Sequence, residues 1–582
     1  MKKILNKINN FISKNSMLIF LFFVLVSGFL ASRTLFKNNE YWIMHDDLQM
    51  MRQLQMEKCF VDKQIPCRWV PDMGYGYGFP LFNYYPPLPY LFGQIFRIFG
   101  LTFNLTAKLT FALGIILSGV TMFILAKEFF GKWGGLISSV FYVWAPYRAV
   151  DVFVRGAMNE SWAWIFFPLS LWSVYKIIKG KNNWSFILLS ISLSGLLLSH
   201  NLMAMVFSPV FAIWTIYWLI EEKSTKSIIK IFLSGLLALG SVAFFTLPAV
   251  LEQKYVHIGT LVEDYFEYAG HFVTVNQLFI SRFWGDGPSI FGSGDGMAFP
   301  IGYIHWIIAL IVLILITIKI IKNKKCENSN FVILFALGVG IFAAFMSHNK
   351  SAYIWRTITY LKFVQFPWRF LSLNVFGFSF AAGGFYLLLN KFKFIKKDIY
   401  RIIISICILF SVIGVNWNYF KPVRNGSLTD EGKFSGEAWR IQQQAGIRDY
   451  LPIGAKKDPN SKRINLVDVI KGKGEVSFEK WGTNWASFST NFSDKENILR
   501  INIYNYPSWK VFIDGKETRT YIDENEEWGR IYFNVSEGKH NIFVKLYDTS
   551  LRKISNYISL VSLVILIYLI SKEMFSKKGK KI

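Results

Sequence analysis

At 582 residues, 53% of them hydrophobic and 18% aromatic, with a mean hydropathy of +0.32, the chain is too apolar for a soluble globular protein. Its formal charge of +26 invites a nucleic-acid partner, but the charge is gathered in short segments between apolar runs, which is a signature of membrane orientation. Neither a Walker loop, a dinucleotide glycine fingerprint nor a CxxC pair is present.

The first apolar run, 16–35, follows Lys2, Lys3, Lys7 and Lys14 and lacks a clear small-residue cleavage site. It is expected to be a retained anchor. Eleven more runs are long enough to cross a hydrocarbon core: 103–126, 133–147, 160–178, 183–200, 202–220, 229–250, 303–321, 330–347, 369–390, 400–419 and 553–571. With a cytoplasmic N-terminus, the inside segments carry Lys127 and Lys132, Lys176 and Lys179, Lys223 and Lys226, Lys319 and Lys322, and Lys572 and Lys577. They hold most of the positive excess, so both termini are predicted to be cytoplasmic. The expected organisation is a membrane domain over 1–419 with external loops 36–102, 147–160, 251–302 and 348–369. An external domain over 420–552 and a last span with a basic tail over 553–582 complete it.

The middles of these spans hold no Asp, Glu, Lys or Arg. Proton relays and ion-coupled transporters usually place charge there, whereas this chain gathers its polar groups at the external ends.

The first external loop opens with "YWIMHDDLQMMRQLQMEKC", where Asp46 and Asp47 follow His45. Adjacent residues diverge on a helix and oppose on a strand, so the two acids have different tasks. One residue-level reading is helix capping before "LQMMRQLQM". Cys59 and Cys67 share this loop and are either a disulfide or two thiols; Cys326 falls in a cytoplasmic loop and Cys407 in a span. "GYGYGFPLFNYYPPLPY" offers Tyr84 and Tyr85 either for stacking on a sugar or as parts of a rigid loop.

In "YRAVDVFVRGAMNE", Arg148 and Arg155 are seven apart and share a face if helical, with Asp151 in reach of both. Such a helix at the membrane surface presents guanidinium groups to a phosphate, or is merely salt-bridged. Glu160 opens the next span, and His200 and Asn201 lie at the outer end of another. The loop 251–302 carries Asp286 in "FWGDGPS", and Glu263, Asp264 and Glu267 read as a solvated face. "FPWRFL" returns the chain to the membrane with Arg369, suited to an anionic leaving group or to lipid headgroups. Beyond 420 the pattern changes to alternation in "GEVSFEKW", "WASFSTNF", "NILRINIY" and "GRIYFNV". Asp514-Gly515 is a strong hairpin signal, and Gly538 repeats the theme.

"MHDD", "PCRWVPDMGYGYGFPLFNYYPPLPYLFG", "APYRAVDVFVRGAMNE", "SHN" and "QFPWRFL" together resemble a family of bacterial multispanning proteins described as "6-pyruvoyl-tetrahydropterin synthase-related". "NYPSWKVFIDGKE" and the segment leading into the last span are similar to YfhO-type proteins. The soluble synthase's zinc-binding histidine set is absent, so the resemblance does not extend to pterin chemistry. By resemblance the family joins the GT-C superfamily of integral-membrane glycosyltransferases.

That resemblance implies a mainly α membrane protein, a GT-C-like bundle of about 12 transmembrane helices with an extracytoplasmic C-terminal β-sandwich, jelly-roll-like in form. It implies inverting transfer of a sugar from a polyprenyl-phosphate donor to a glycan, glycolipid or teichoic-acid-like acceptor on the outer face of a bacterial plasma membrane. Asp46 occupies the position of the base, with Asp47 orienting the acceptor, a His or a metal. Arg148, Arg155 and Arg369 are the candidate phosphate ligands; His45, Asp151, Glu160, Tyr84, Tyr85, His200 and Asn201 are the candidate substrate contacts. No cofactor is required, a divalent metal is left open, and no nucleic acid is expected. The rival readings are a flippase for lipid-linked sugars and a non-catalytic envelope-assembly protein.

Overall fold

Apolar helices form at every position where the sequence predicts a span. The computed structural model describes residues 2–180, 183–292, 294–323, 327–389 and 398–578; the predicted loop position of Cys326 lies outside them. In chain order the helices are α1 (Lys2–Ser32), α2 (Gln49–Val61), α3 (Leu88–Ile98), α4 (Phe103–Val143), α5 (Met158–Ile178), α6 (Trp184–Ser199) and α7 (Asn201–Glu221). They continue with α8 (Thr225–Ser241), α9 (Ala243–Leu251), α10 (Tyr303–Asn323), α11 (Asn328–Ser347), α12 (Leu371–Leu388), α13 (Asp398–Asn416) and α14 (Ser550–Lys578).

Eight helices among the described residues are long and apolar enough to cross a membrane, nine if α8 and α9, bent by 76°, count as one span. This is a multi-pass membrane protein. The expected twelve are fewer by this measure for identifiable reasons. α6 has only 16 residues. α5 is rich in Ser and Trp, yet it is buried along nearly its whole length, as a helix enclosed by other helices should be. α4 folds back on itself at Gly131, whose φ of 72° and ψ of −177° break the helix; only glycine adopts that conformation cheaply. Its two arms pack together, Ser139 Oγ donating to Gly119 O at 2.8 Å.

Small residues let the central helices approach closely. A Cβ on Gly134 would lie 2.7 Å from Gly383 O, and one on Gly377 would lie 2.5 Å from Ala336 O. These contacts seat α12 between α4 and α11.

At one end of the bundle the first loop, the α9 end and the C-terminal domain meet in a polar knot. Glu252, just past α9, pairs with Arg552 at 2.8 Å, both side chains 2% exposed or less. Thr549 Oγ1 and Asn83 Nδ2 donate to the same carboxylate at 2.8 and 3.0 Å. Arg68 reaches Asn83 Oδ1, Phe244 O and Asn556 Oδ1 at 3.1, 2.9 and 2.8 Å. Cys59 and Cys67 are joined in a disulfide.

Residues 420–466 form short helices and turns, and the strands begin later than the predicted domain edge. They are β1 (Val467–Lys471), β2 (Gly474–Trp481), β3 (Trp485–Phe492), β4 (Asn497–Tyr504), β5 (Trp509–Ile513), β6 (Lys516–Thr518), β7 (Thr520–Tyr521), β8 (Arg530–Val535) and β9 (Gly538–Leu546). Two antiparallel sheets, β1-β4-β8-β7 and β2-β3-β9-β5-β6, form a sandwich filled by Phe488, Leu499, Val511, Ile531, Phe533 and Val544. Asp514 and Gly515 both take positive φ, 50° and 81°, and turn β5 into β6 as a primed hairpin turn does. Gly538 behaves differently from that expectation. It carries the chain from β8 in one sheet to β9 in the other, because β9 pairs with β3 and β5.

Breaking a buried ion pair by removing one partner costs about 3–5 kcal/mol, since the other charge stays buried. Glu252→Ala should therefore lower the thermal unfolding midpoint of the detergent-solubilised protein well below that of Lys457→Ala, which breaks an exposed pair with Glu527. Equal midpoints would show that the knot does not hold the domains together.

Candidate functional site

The site is built where the chain leaves α1. His45 N donates to Val154 O at 3.0 Å and Asp46 N to Arg155 O at 2.9 Å, so "HDD" is clamped against "VFVR". Asp46 presents a side chain 33% exposed. Its Oδ2 accepts from Arg52 Nη1 at 2.7 Å and from Gln49 Nε2 at 3.0 Å. Tyr90 OH donates to Gln49 Oε1 at 2.6 Å and so fixes the amide. Arg52 lies over the Tyr85 ring at 4.2 Å and donates to its hydroxyl at 3.0 Å. Among the described residues no hydrogen bond uses Asp46 Oδ1, so the carboxylate is oriented through one oxygen and open at the other.

Asp47 points elsewhere, to Lys433. Burial raises its pKa even though the Lys433 ammonium opposes the shift. His45 Nε2 contacts Asp286 O at 2.8 Å, and Asp286 pairs with Arg424 at 2.6 Å. The segment 251–302 is thereby tied to the first loop.

Behind Asp46 stands a buried charge array. Arg155 pairs with Asp151 at 2.5 Å and Glu160 at 2.7 Å, and its guanidinium lies over Trp368 at 4.5 Å. Ser372 Oγ donates to Glu160 Oε1 at 2.7 Å. Arg369 Nε stands 3.8 Å from Glu160, while its Nη1 donates to Val364 O and Gln365 Oε1 at 2.7 and 2.8 Å. Two arginines thus face two carboxylates, the pairing that buried charges require. Asp46, Arg155 and Arg369 thus meet in one connected region.

Three expectations need correction. Arg148 does not share a face with Arg155, because Val150–Val154 form a π-helical turn, Arg155 N bonding Val150 O; the i→i+5 pattern shifts the register. Arg148 is instead fully buried, donating to Ser161 and Ser118 and lying over Trp164 at 3.8 Å. Arg155 is not a free guanidinium, since Asp151 and Glu160 already hold it; the segment is buried and does not lie on a membrane surface. Tyr84 faces away from the site, donating to Glu252 O at 2.7 Å and contacting Tyr506 OH at 2.8 Å, so it belongs to the knot. His200 caps α7, with Asn201 exposed beside it. Asn159 Nδ2 donates to Ser199 O at 2.9 Å.

The residues missed are Gln49, Arg52, Tyr90 and Asp449. Their signal was one of spacing: Gln49 and Arg52 follow Asp46 by three and six, one helical face. Asp449 comes from beyond residue 420 and no local pattern announces it. No group of three or more His, Cys, Asp or Glu among the described residues is arranged to hold a metal ion.

No family model matches the chain. A protein of Lactococcus lactis subsp. cremoris (strain MG1363), described as uncharacterized, is 23% identical over 202 residues, 33% of this chain and 33% of that protein. Among solved structures, the Archaeoglobus fulgidus oligosaccharyltransferase in its apo form aligns with a TM-score of 0.43 and 10% identity, over 76% of this chain and 61% of that one. The same enzyme tethered by a disulfide to an acceptor peptide containing the NVT sequon aligns with a TM-score of 0.42 and 13% identity, over 78% and 62%. The match thus spans a third of the Lactococcus protein and about three fifths of the oligosaccharyltransferase.

Asp449 is pushed up to about 6, by burial first, against the opposing Arg52 charge and with Asp46 adding to the rise. The unfolded carboxyl titrates near 3.9, so the folded protein holds this proton more tightly and loses the associated stability as pH climbs from about 4 through 6. Asp449→Asn should remove that loss: its unfolding midpoint relative to wild type should be higher at pH 7.5 than at pH 4.5. A pH-independent difference between the two would contradict the assignment.

Proposed function

We propose that this protein is an integral-membrane glycosyltransferase of GT-C type, transferring a sugar from a polyprenyl-phosphate donor to a cell-envelope acceptor outside a bacterial plasma membrane, with inversion. The observation that carries the reading is the Asp46 carboxylate, oriented by Arg52 and Gln49 through one oxygen and open at the other. An acceptor hydroxyl loses its proton as it attacks the anomeric carbon, and a carboxylate held in place is suited to take it. Asp47, paired with Lys433, is set aside for positioning.

Arg369 is the arginine best suited to the departing phosphate. Its Nη1 is anchored, its Nε faces Glu160, and no hydrogen bond among the described residues uses Nη2. An anchored cation that need not reorganise stabilises charge as the glycosidic bond breaks. The motif resemblance, the membrane helices and the absence of charge in the middles of the spans support the same reading over a flippase. Orientation follows from the lysine distribution, with the first loop and the sandwich outside, where a Cys59–Cys67 disulfide persists.

Asp46→Asn should reduce transfer from a radiolabelled polyprenyl-phosphate sugar in membrane vesicles by about 10²–10⁴-fold, with protein level unchanged by immunoblot. Full activity would remove Asp46 as the base. Mass spectrometry of the product separates the classes: a flippase moves the lipid-linked sugar without forming a new glycosidic bond.

A further inference from the structure

A cavity of about 520 Å³ opens between α2 and the β-sandwich, away from Asp46. That volume falls in the range of small-ligand sites, about 300–1,000 Å³. One wall is the far end of α2, with Glu57, Lys58 and Val61; the other is the hairpin of β2 and β3, with Trp481, Thr483 and Trp485. Trp69 and Trp509 form the floor, packed edge to face at 5.5 Å.

The walls are built and do not merely touch. Asp62 Oδ2 accepts from Thr483 N and Oγ1 at 2.6 and 2.7 Å, and its Oδ1 accepts from Trp485 Nε1 at 2.9 Å. These bonds fix the hairpin and set the width of the cleft. Gly78 is required beside it: a Cβ there would lie 2.4 Å from Trp69 Nε1.

Two groups in the lining are left without hydrogen-bond partners among the described residues. Trp509 is 6% exposed, yet its indole N–H has no hydrogen-bond acceptor. A buried donor left unmade is costly, and a ligand oxygen would satisfy it. The second is Arg463. The carboxylates around it are already answered: Asp72 by Lys58 at 2.5 Å and by Gln55 at 2.7 Å, Glu57 by Arg97, and Asp62 by its three donors. No ion pair or side-chain hydrogen bond among the described residues engages the half-buried Arg463 guanidinium; only its backbone N–H is used, on Tyr75 O at 2.9 Å. Burial pulls its pKa below the ordinary value, with Asp72 and Tyr77 opposing.

Trp481 is 65% exposed at the mouth. A large indole face held beside a polar cleft suits the flat C–H face of a pyranose, whose slightly positive hydrogens meet the negative face of the ring. We propose that this cleft is a saccharide-binding site for an acidic glycan, with sugar rings on Trp481 and Trp485, a ring or hydroxyl oxygen on Trp509 Nε1, and the anionic substituent on Arg463. The inference rests on the cleft alone and stands whether or not Asp46 is a base.

The test is saturation-transfer NMR and calorimetry on the full chain in nanodiscs. The probes are hexagalacturonate and a hyaluronan hexasaccharide, with neutral maltohexaose as the control. The acidic probes should bind, the neutral one more weakly. Trp481→Ala should weaken the acidic probes at least tenfold, while Arg463→Gln should abolish the preference for charge; both variants should keep the wild-type unfolding midpoint. No binding of either acidic probe up to millimolar concentration, or binding indifferent to both substitutions, would overturn the proposal. Asp46→Asn should bind all three probes as wild type does, which separates this inference from the transferase reading.

Discussion

Two backbone hydrogen bonds, from His45 to Val154 and from Asp46 to Arg155, hold together the parts on which the rest of this structure depends. They join a loop emerging from α1 to a π-turn that precedes α5, segments more than a hundred residues apart. Because backbone groups are used, the side chains at both positions stay available. Asp46 can turn outward to Arg52 and Gln49 while Arg155 turns inward to Asp151 and Glu160. The π-turn is the local cost of this arrangement, and such turns recur at functional positions.

The second constraint is that charge removed from water must be matched. Arg155 and Arg369 are paired with Asp151 and Glu160. The arginines differ in what that pairing leaves them. Arg155 is held by both carboxylates, whereas Arg369 keeps donor capacity. Arg148, with serine hydroxyls and an indole face as its partners, serves packing. The same logic governs the opposite pole of the first loop, where Glu252 and Arg552 neutralise each other between the membrane helices and the sandwich.

Periodicity and charge made the helices legible in the sequence, because apolar runs and flanking lysines are local signals. The Asp514-Gly515 turn was legible for the same reason, since its two residue types fix the backbone by themselves. Gly538 was not. A glycine with positive φ serves a hairpin or a crossover equally, and only the pairing of β9 decides. Arg148 and Arg155 were misread because seven residues imply a shared face only on a regular helix, and nothing in "YRAVDVFVR" announces a π-turn. Tyr84 takes the rigid-loop alternative, and its partners, Glu252 and Tyr506, are distant in the chain and carry no local signal. The place of Asp46 where the chain leaves the first span was legible. Its orienting partners were hidden in a helix that reads as ordinary amphipathic sequence, and Asp449 comes from a segment four hundred residues away.

The helix α2 connects these observations. Its 13 residues span about 20 Å. Gln49 and Arg52 orient Asp46 at the N-terminal end; Glu57, Lys58 and Val61 line the tryptophan cleft at the C-terminal end. A rigid element with the Asp46 carboxylate at one end and the tryptophan cleft at the other fixes the distance between them, as a loop cannot. The disulfide closes the chain just beyond α2, and Asp62 pins the hairpin of β2 and β3 to the same point. The sandwich is thus locked in register with α2. A β-domain that only shielded the site would need no such register, and no unsatisfied indole and guanidinium facing its own cleft.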